Sequence, residues 1–170
     1  MMKTILSCHK MMPVFMIFIA ATALMTALIS QYEYGLQPCV LCIFQRYPYG
    51  IIIVLGLVGV LLSCKYIKGV SAIMGLIGLT FLANSIIAFY HSGVELKWWP
   101  SFLEGCAVPK MEGNMEDILA SIQSRTDAVR CDEIPWADPI LNLSMANWNV
   151  VICLGFAVVA FISARLIYKK

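Results

Sequence analysis

The chain has 170 residues, 61% of them hydrophobic and 13% charged, with a formal net charge of +2. Together with a mean hydropathy of +0.82, that composition excludes an ordinary soluble domain and marks an integral membrane protein. No Lys/Arg-rich run is present, so no nucleic-acid partner is expected; the lipid bilayer is.

Lys3, His9 and Lys10 precede an uncharged run over residues 13–30. A secretory signal peptide opens similarly, but no small-residue cleavage site follows and the run is long, which predicts an uncleaved first span. A connection over 31–46 carries Cys39 and Cys42, with Tyr32 and Tyr34 suited to headgroup depth. The second span is expected over 47–64. Pro48 leaves the Phe44 carbonyl without its helical partner, which predicts a loosened turn there. Lys65-Tyr66-Ile67-Lys68 leaves room only for a tight turn into a third span over 69–90. In that span Ser71, Gly75 and Gly78 form a small-residue stripe, for which Gly56 and Gly59 offer a matching surface, and Asn84 is expected to hydrogen-bond between helices.

Residues 91–148 form the one extended polar segment, with four basic and nine acidic side chains. Met115, Ile118, Leu119 and Ile122, behind Asn114 as N-cap, predict a short amphipathic helix within it. Pro100, Pro109, Pro135 and Pro139 interrupt regular structure, and Trp98, Trp99, Trp136 and Trp148 suit interfacial anchoring. A fourth span is expected over 149–168. Lys3, Lys10, Lys65, Lys68, Arg165, Lys169 and Lys170 place both termini in the cytoplasm and both cysteine-bearing loops outside. The expected architecture is therefore all-α: a single-domain, integral membrane four-helix bundle with two periplasmic loops, the second containing the amphipathic helix.

The chemistry centres on Leu36-Gln37-Pro38-Cys39-Val40-Leu41-Cys42-Ile43-Phe44-Gln45-Arg46. If Pro38 opens a helix, Cys39, Cys42 and Arg46 share one face, and helix-start amides plus the guanidinium favour thiolate over thiol. Of the seven cysteines, Cys39, Cys42, Cys106 and Cys131 fall in polar connections on one side, whereas Cys8, Cys64 and Cys153 are expected to be thiols without a redox task. Disulfides among the first four would persist on an oxidising face such as the bacterial periplasm. As a staple, Cys39 with Cys42 closes too small a loop to restrict the unfolded chain, while Cys106 with Cys131 could be structural. A zinc site of four thiolates is disfavoured because the second pair is 25 positions apart, and haem attachment fails because Ile43 follows Cys42. A relay remains, in which one pair exchanges with a partner protein and the other passes two electrons to a lipid-soluble acceptor; no metal or nucleotide is expected.

Pro38-Cys39-Val40-Leu41-Cys42 with Arg46, the Tyr90-His91 pair, the spacing of Cys106 and Cys131, and Cys131-Asp132-Glu133 with Trp136 together resemble the DsbB family over nearly the whole chain. The resemblance implies a protein-disulfide:quinone oxidoreductase of the bacterial inner membrane. It implies that Cys106 forms a mixed disulfide with a DsbA-like periplasmic thiol oxidase and that Cys131 then exchanges with Cys39. Cys42, released as a thiolate, would reduce a bound ubiquinone or menaquinone beside Arg46 and His91. Read from the residues alone, Arg46 is also a snorkelling anchor and His91 an interfacial hydrogen-bonding residue. Trp98-Trp99-Pro100 and the acidic stretch before Cys131 depart from the family pattern and leave open a dedicated DsbI-like paralogue. Outside the resemblance stand an outward-directed reductase using Cys64 and Cys153, and a scaffold with structural disulfides.

Overall fold

The computed structural model describes residues 6, 8–103, 106 and 130–169. Among these the chain forms five helices, α1 (Met11–Tyr32), α2 (Val40–Phe44), α3 (Arg46–Leu62), α4 (Ile67–Glu95) and α5 (Met145–Tyr168). Only an isolated bridge between Ala137 and Ser144 interrupts the helical pattern, and no strand forms among the described residues. With α2 and α3 counted as one span, four helices are long and apolar enough to cross a membrane. The expected all-α four-helix membrane bundle is thus the observed one. The amphipathic helix expected near residues 115–122 lies outside the described residues.

Phe18, Leu61 and Ile86 are more than 60% exposed on the bundle's outer surface. That arrangement suits lipid, where each helix must satisfy its own backbone and apolar side chains face the solvent without penalty. Inside, Met16, Ile52, Met74, Ile77 and Phe81 are fully buried, and the Phe81 ring meets Tyr49 and Phe156 at centroid distances of 6.3 and 5.8 Å. Because lipid tails are as apolar as the core, close packing and interhelical hydrogen bonds hold the helices together.

Small residues do this at specific crossings. A Cβ on Gly56 would overlap Ile17, one on Gly59 would press on Pro13 and Ile73, and one on Gly78 would meet the Phe161 ring. The Gly56/Gly59 surface therefore receives mainly α1, and the stripe of α4 faces α5 instead of α3. Ser71 donates to the Ala164 carbonyl at 2.8 Å, whereas Gly75 faces open space. The reason for the correction is that α4 packs along α5 more extensively than any other pair of helices.

Two of the boundaries that differ from expectation matter most for the site. Helix α4 continues past residue 90 to Glu95, so His91 and Glu95 stand one turn apart on a helix instead of in a loop. It ends in a Schellman turn, with Lys97 left-handed at φ 58°, the Trp98 N–H on the Gly93 carbonyl at 2.8 Å and the Lys97 N–H on that of Val94 at 3.1 Å. No glycine marks this stop in the sequence. Trp99 then folds back: its indole N–H donates to the Tyr90 carbonyl at 3.1 Å, and its ring stacks on Tyr90 with planes 12° apart, filling the space that a Cβ on Gly93 would need. Trp99 is thus packed, while Trp98 keeps the exposure of an interfacial anchor. Helix α5 begins at Met145, four residues earlier than 149, because Ser144 caps it by accepting the Asn147 N–H at 3.2 Å.

Candidate redox site

Cys39 precedes α2 as its N-cap, in an extended conformation (φ −72°, ψ 171°), and its sulfur accepts the Cys42 N–H at 3.3 Å. The helix therefore starts at Val40, later than Pro38 suggested, because the thiol occupies the capping role usually taken by a short oxygen side chain. The Cys39 and Cys42 sulfurs are 3.1 Å apart and unbonded. Cys106 and Cys131 form a disulfide, with Cα atoms 5.0 Å apart. All four cysteines join one packed cluster with the buried Leu41 and Val94. Arg130 grips Asp132 through two hydrogen bonds of 2.9 and 2.7 Å beside Cys131, and this contact holds the Asp132 carboxyl below its usual range.

His91 completes the dithiol site. Its Nε2 lies 3.5 Å from the Cys39 sulfur, although the two residues are 52 positions apart. The Cys39 thiol is lowered to about 4, chiefly by its hydrogen bond with the Cys42 thiol, with His91 and the Cys42 backbone N–H adding to the effect against the opposing cost of burial. These contacts favour the thiolate form at Cys39.

Behind the imidazole runs a directional chain. The Tyr49 hydroxyl donates to Asn149 Oδ1, Asn149 Nδ2 donates to Gln45 Oε1 at 2.6 Å, and Gln45 Nε2 donates to His91 Nδ1 at 2.9 Å. Because the Gln45 amide nitrogen can only donate, Nδ1 accepts and Nε2–H is directed at the Cys39 sulfur. Glu95 Oε1 lies 3.7 Å from the same Nε2, and its other oxygen accepts the Ser144 hydroxyl. One serine thereby caps α5 and ties it to the end of α4. Deeper still, Cys153 meets the Tyr49 hydroxyl at 3.2 Å and receives the Asn84 amide at 3.4 Å, which is the interhelical bond expected of Asn84.

Arg46 stands apart from this cluster. A turn at Gln45, whose backbone stays helical (φ −71°, ψ −16°), separates α2 from α3 within one span. That turn is the one that Pro48 was expected to loosen. Among the described residues, the Arg46 side chain donates to Gln31 of α1 at 2.7 Å, not to either sulfur. Sequence reasoning missed Gln45, Glu95, Ser144 and Asn149. The available signal was that amides and carboxylates at span ends need partners, but those partners lie 46 to 104 positions away.

A family model described as disulfide bond formation protein DsbB matches residues 9–163, a stretch that includes both cysteine pairs. Disulfide bond formation protein B of Azoarcus sp. strain BH72 is 31% identical over 162 residues, covering 91% of this chain and 92% of its own. That of Aromatoleum aromaticum is 34% identical over 144 residues, covering 82% and 81%. An uncharacterized protein of Rickettsia prowazekii is 27% identical over 163 residues, covering 95% and 90%. No solved structure matches. The family match over residues 9–163, joined to two cysteine pairs packed in one cluster, makes this multi-pass membrane protein a member of the DsbB family of disulfide bond formation proteins.

Proposed function

We propose that this chain oxidises a DsbA-like periplasmic thiol oxidase through Cys106 and Cys131 and passes the electrons through Cys39 and Cys42 to ubiquinone or menaquinone at the outer boundary of the bacterial inner membrane. The observation that carries this reading is the packing of the Cys106–Cys131 disulfide against the Cys39 and Cys42 pair in one cluster. Orientation rests on the basic residues at the opposite ends of the spans.

The partner's thiolate attacks Cys106, forms a mixed disulfide and releases Cys131 as a thiolate. The partner's second thiolate then attacks its own half of that bond, completing the partner's disulfide and leaving Cys106 as a thiolate that takes up a proton. Once Cys39 and Cys42 are joined, Cys131 attacks Cys39 and releases Cys42 as a thiolate; Cys106, having lost its proton, then attacks Cys131 and expels Cys39, which restores the Cys106–Cys131 bond and leaves the Cys39 and Cys42 pair reduced. Stabilising the Cys39 thiolate favours that reduced pair, which makes the Cys39–Cys42 disulfide a stronger oxidant toward the other pair. A quinone supplies the sink for two electrons and two protons when the Cys39–Cys42 bond re-forms.

The residues present fit such an acceptor. Cys42 is half-buried, its neighbours Ile43 and Phe44 are exposed on the lipid-facing surface, and Arg46 has N–H groups beyond the one that Gln31 takes. His91 Nε2–H is placed to hold a proton beside the reacting sulfur.

A reduced DsbA-like partner that keeps only its first active-site cysteine tests the order of exchange. It should become trapped on Cys106, with Cys131 free for alkylation, as mapped by mass spectrometry of non-reduced peptides. Attachment to Cys39 or Cys131, or none, overturns the assignment.

A further inference from the structure

The sulfurs of Cys39 and Cys42 and one ring nitrogen of His91 all lie within 4.8 Å of one another. The Cys39 sulfur is 3.1 Å from the Cys42 sulfur and 3.5 Å from Nε2, and a carboxylate oxygen of Glu95 sits 3.7 Å from that same nitrogen. Tetrahedral zinc, with bonds of about 2.3 Å to sulfur and about 2.0 Å to nitrogen, sets edges of about 3.5 Å between S and N and about 3.8 Å between S and S. The Cys39–Nε2 edge is already met, the Cys42 sulfur lies within 4.8 Å of a ring nitrogen of His91, and the sulfurs need to part by only about 0.7 Å.

We infer that the reduced Cys39–Cys42 pair and His91 form a binding site for Zn²⁺, with Glu95 or water in the fourth position, and that the bound ion holds the pair reduced. Two thiolates neutralise the ion's charge, and sulfur with imidazole is the donor set that zinc prefers over harder cations. Binding transfers no electrons: Cys39 and Cys42 coordinate as thiolates, any thiol protons pass to solvent, and two Zn–S bonds and one Zn–N bond form. For Nε2 to offer its lone pair, the imidazole proton moves to Nδ1, which then donates to Gln45. The chain behind the ring accommodates this because Gln45 and Asn149 each carry an acceptor and a donor and can turn over, and the Tyr49 hydroxyl can donate to Cys153 instead. The half-buried Cys42 gives the ion its approach, since Cys39 and His91 are only 4% and 3% exposed.

A disulfide cannot form while both sulfurs are held by the metal. Zinc would therefore arrest the enzyme in its reduced state; that consequence, unlike the binding itself, rests on the proposed relay.

The test uses the full-length protein in lipid nanodiscs, reduced, with Cys106 and Cys131 changed to Ser so that their thiols do not compete. Titration with Co²⁺ should give one equivalent with sulfur-to-cobalt charge-transfer absorption, displaced by Zn²⁺. His91→Ala should weaken binding by at least about tenfold, and oxidation of the dithiol with diamide should abolish it. X-ray absorption of the zinc-loaded protein with His91 intact needs no folded variant and should report two sulfurs with nitrogen or oxygen in the remaining positions. Equal affinity with and without His91, binding that survives oxidation, or a shell without two sulfurs overturns the site. Because binding is read without turnover, a protein that binds zinc but reduces no quinone would refute the relay and leave the site standing.

Discussion

At Cys39, one residue combines a helix-cap position, a thiol hydrogen bond and an imidazole donor, and its titration follows from them. Its pKa is about 4, well below the ordinary thiol range. The stabilisation this gives the folded reduced chain is fully present above pH 9, declines as pH falls, and is gone below about pH 4. Iodoacetamide should consequently label Cys39 at nearly constant rate from about pH 5 to 8, where an ordinary thiol loses about tenfold per pH unit. Asn149→Leu removes the amide that orients Gln45 and hence His91; the midpoint of Cys39 labelling should move upward while the protein stays folded by circular dichroism. An unmoved midpoint would show that the imidazole is oriented by something else. The sulfurs themselves were legible because Cys-x-x-Cys is a local pattern. His91 was legible through the family resemblance; the side chains around it were not, because Gln45, Glu95 and Asn149 come from separate elements and no local spacing encodes their meeting.

Helices α1 and α3 show how the bundle achieves contact without a hydrophobic drive. Gly56→Leu would force a side chain into Ile17 and Pro13 and should destabilise the bundle by about 1–3 kcal/mol. Gly75→Ala adds a methyl to open space and should leave thermal unfolding in detergent unchanged. Equal loss from both would mean that the small residues act through backbone freedom, not through packing. The spans were readable from their uncharged runs, and the loosened turn near Phe44 from Pro48. The end of α4 was not readable: a lysine, not a glycine, takes the left-handed position, and the tertiary stacking of Trp99 on Tyr90 sustains a turn that local preference disfavours. The direction of the Ser71–Gly78 stripe was equally hidden, since small residues mark a contact surface but do not name the helix that meets it.

For the molecule as a whole, composition alone announced a membrane protein, and cysteine placement announced redox chemistry on one face. The bundle adds a reason for the two to coincide: α2, the end of α4 and the start of α5 bring Cys39, His91, Glu95 and Ser144 together at one end, where a buried thiolate borders lipid-exposed Ile43 and Phe44. The most direct test supplies purified full-length protein in nanodiscs with a reduced DsbA-like partner and a quinone, and measures quinol formed against partner disulfide formed. The expected result is one quinol per disulfide, lost in a folded Cys42→Ser variant. Partner oxidation without quinol, or a Cys42→Ser protein that turns over like the parent, would contradict a two-electron path through Cys39 and Cys42.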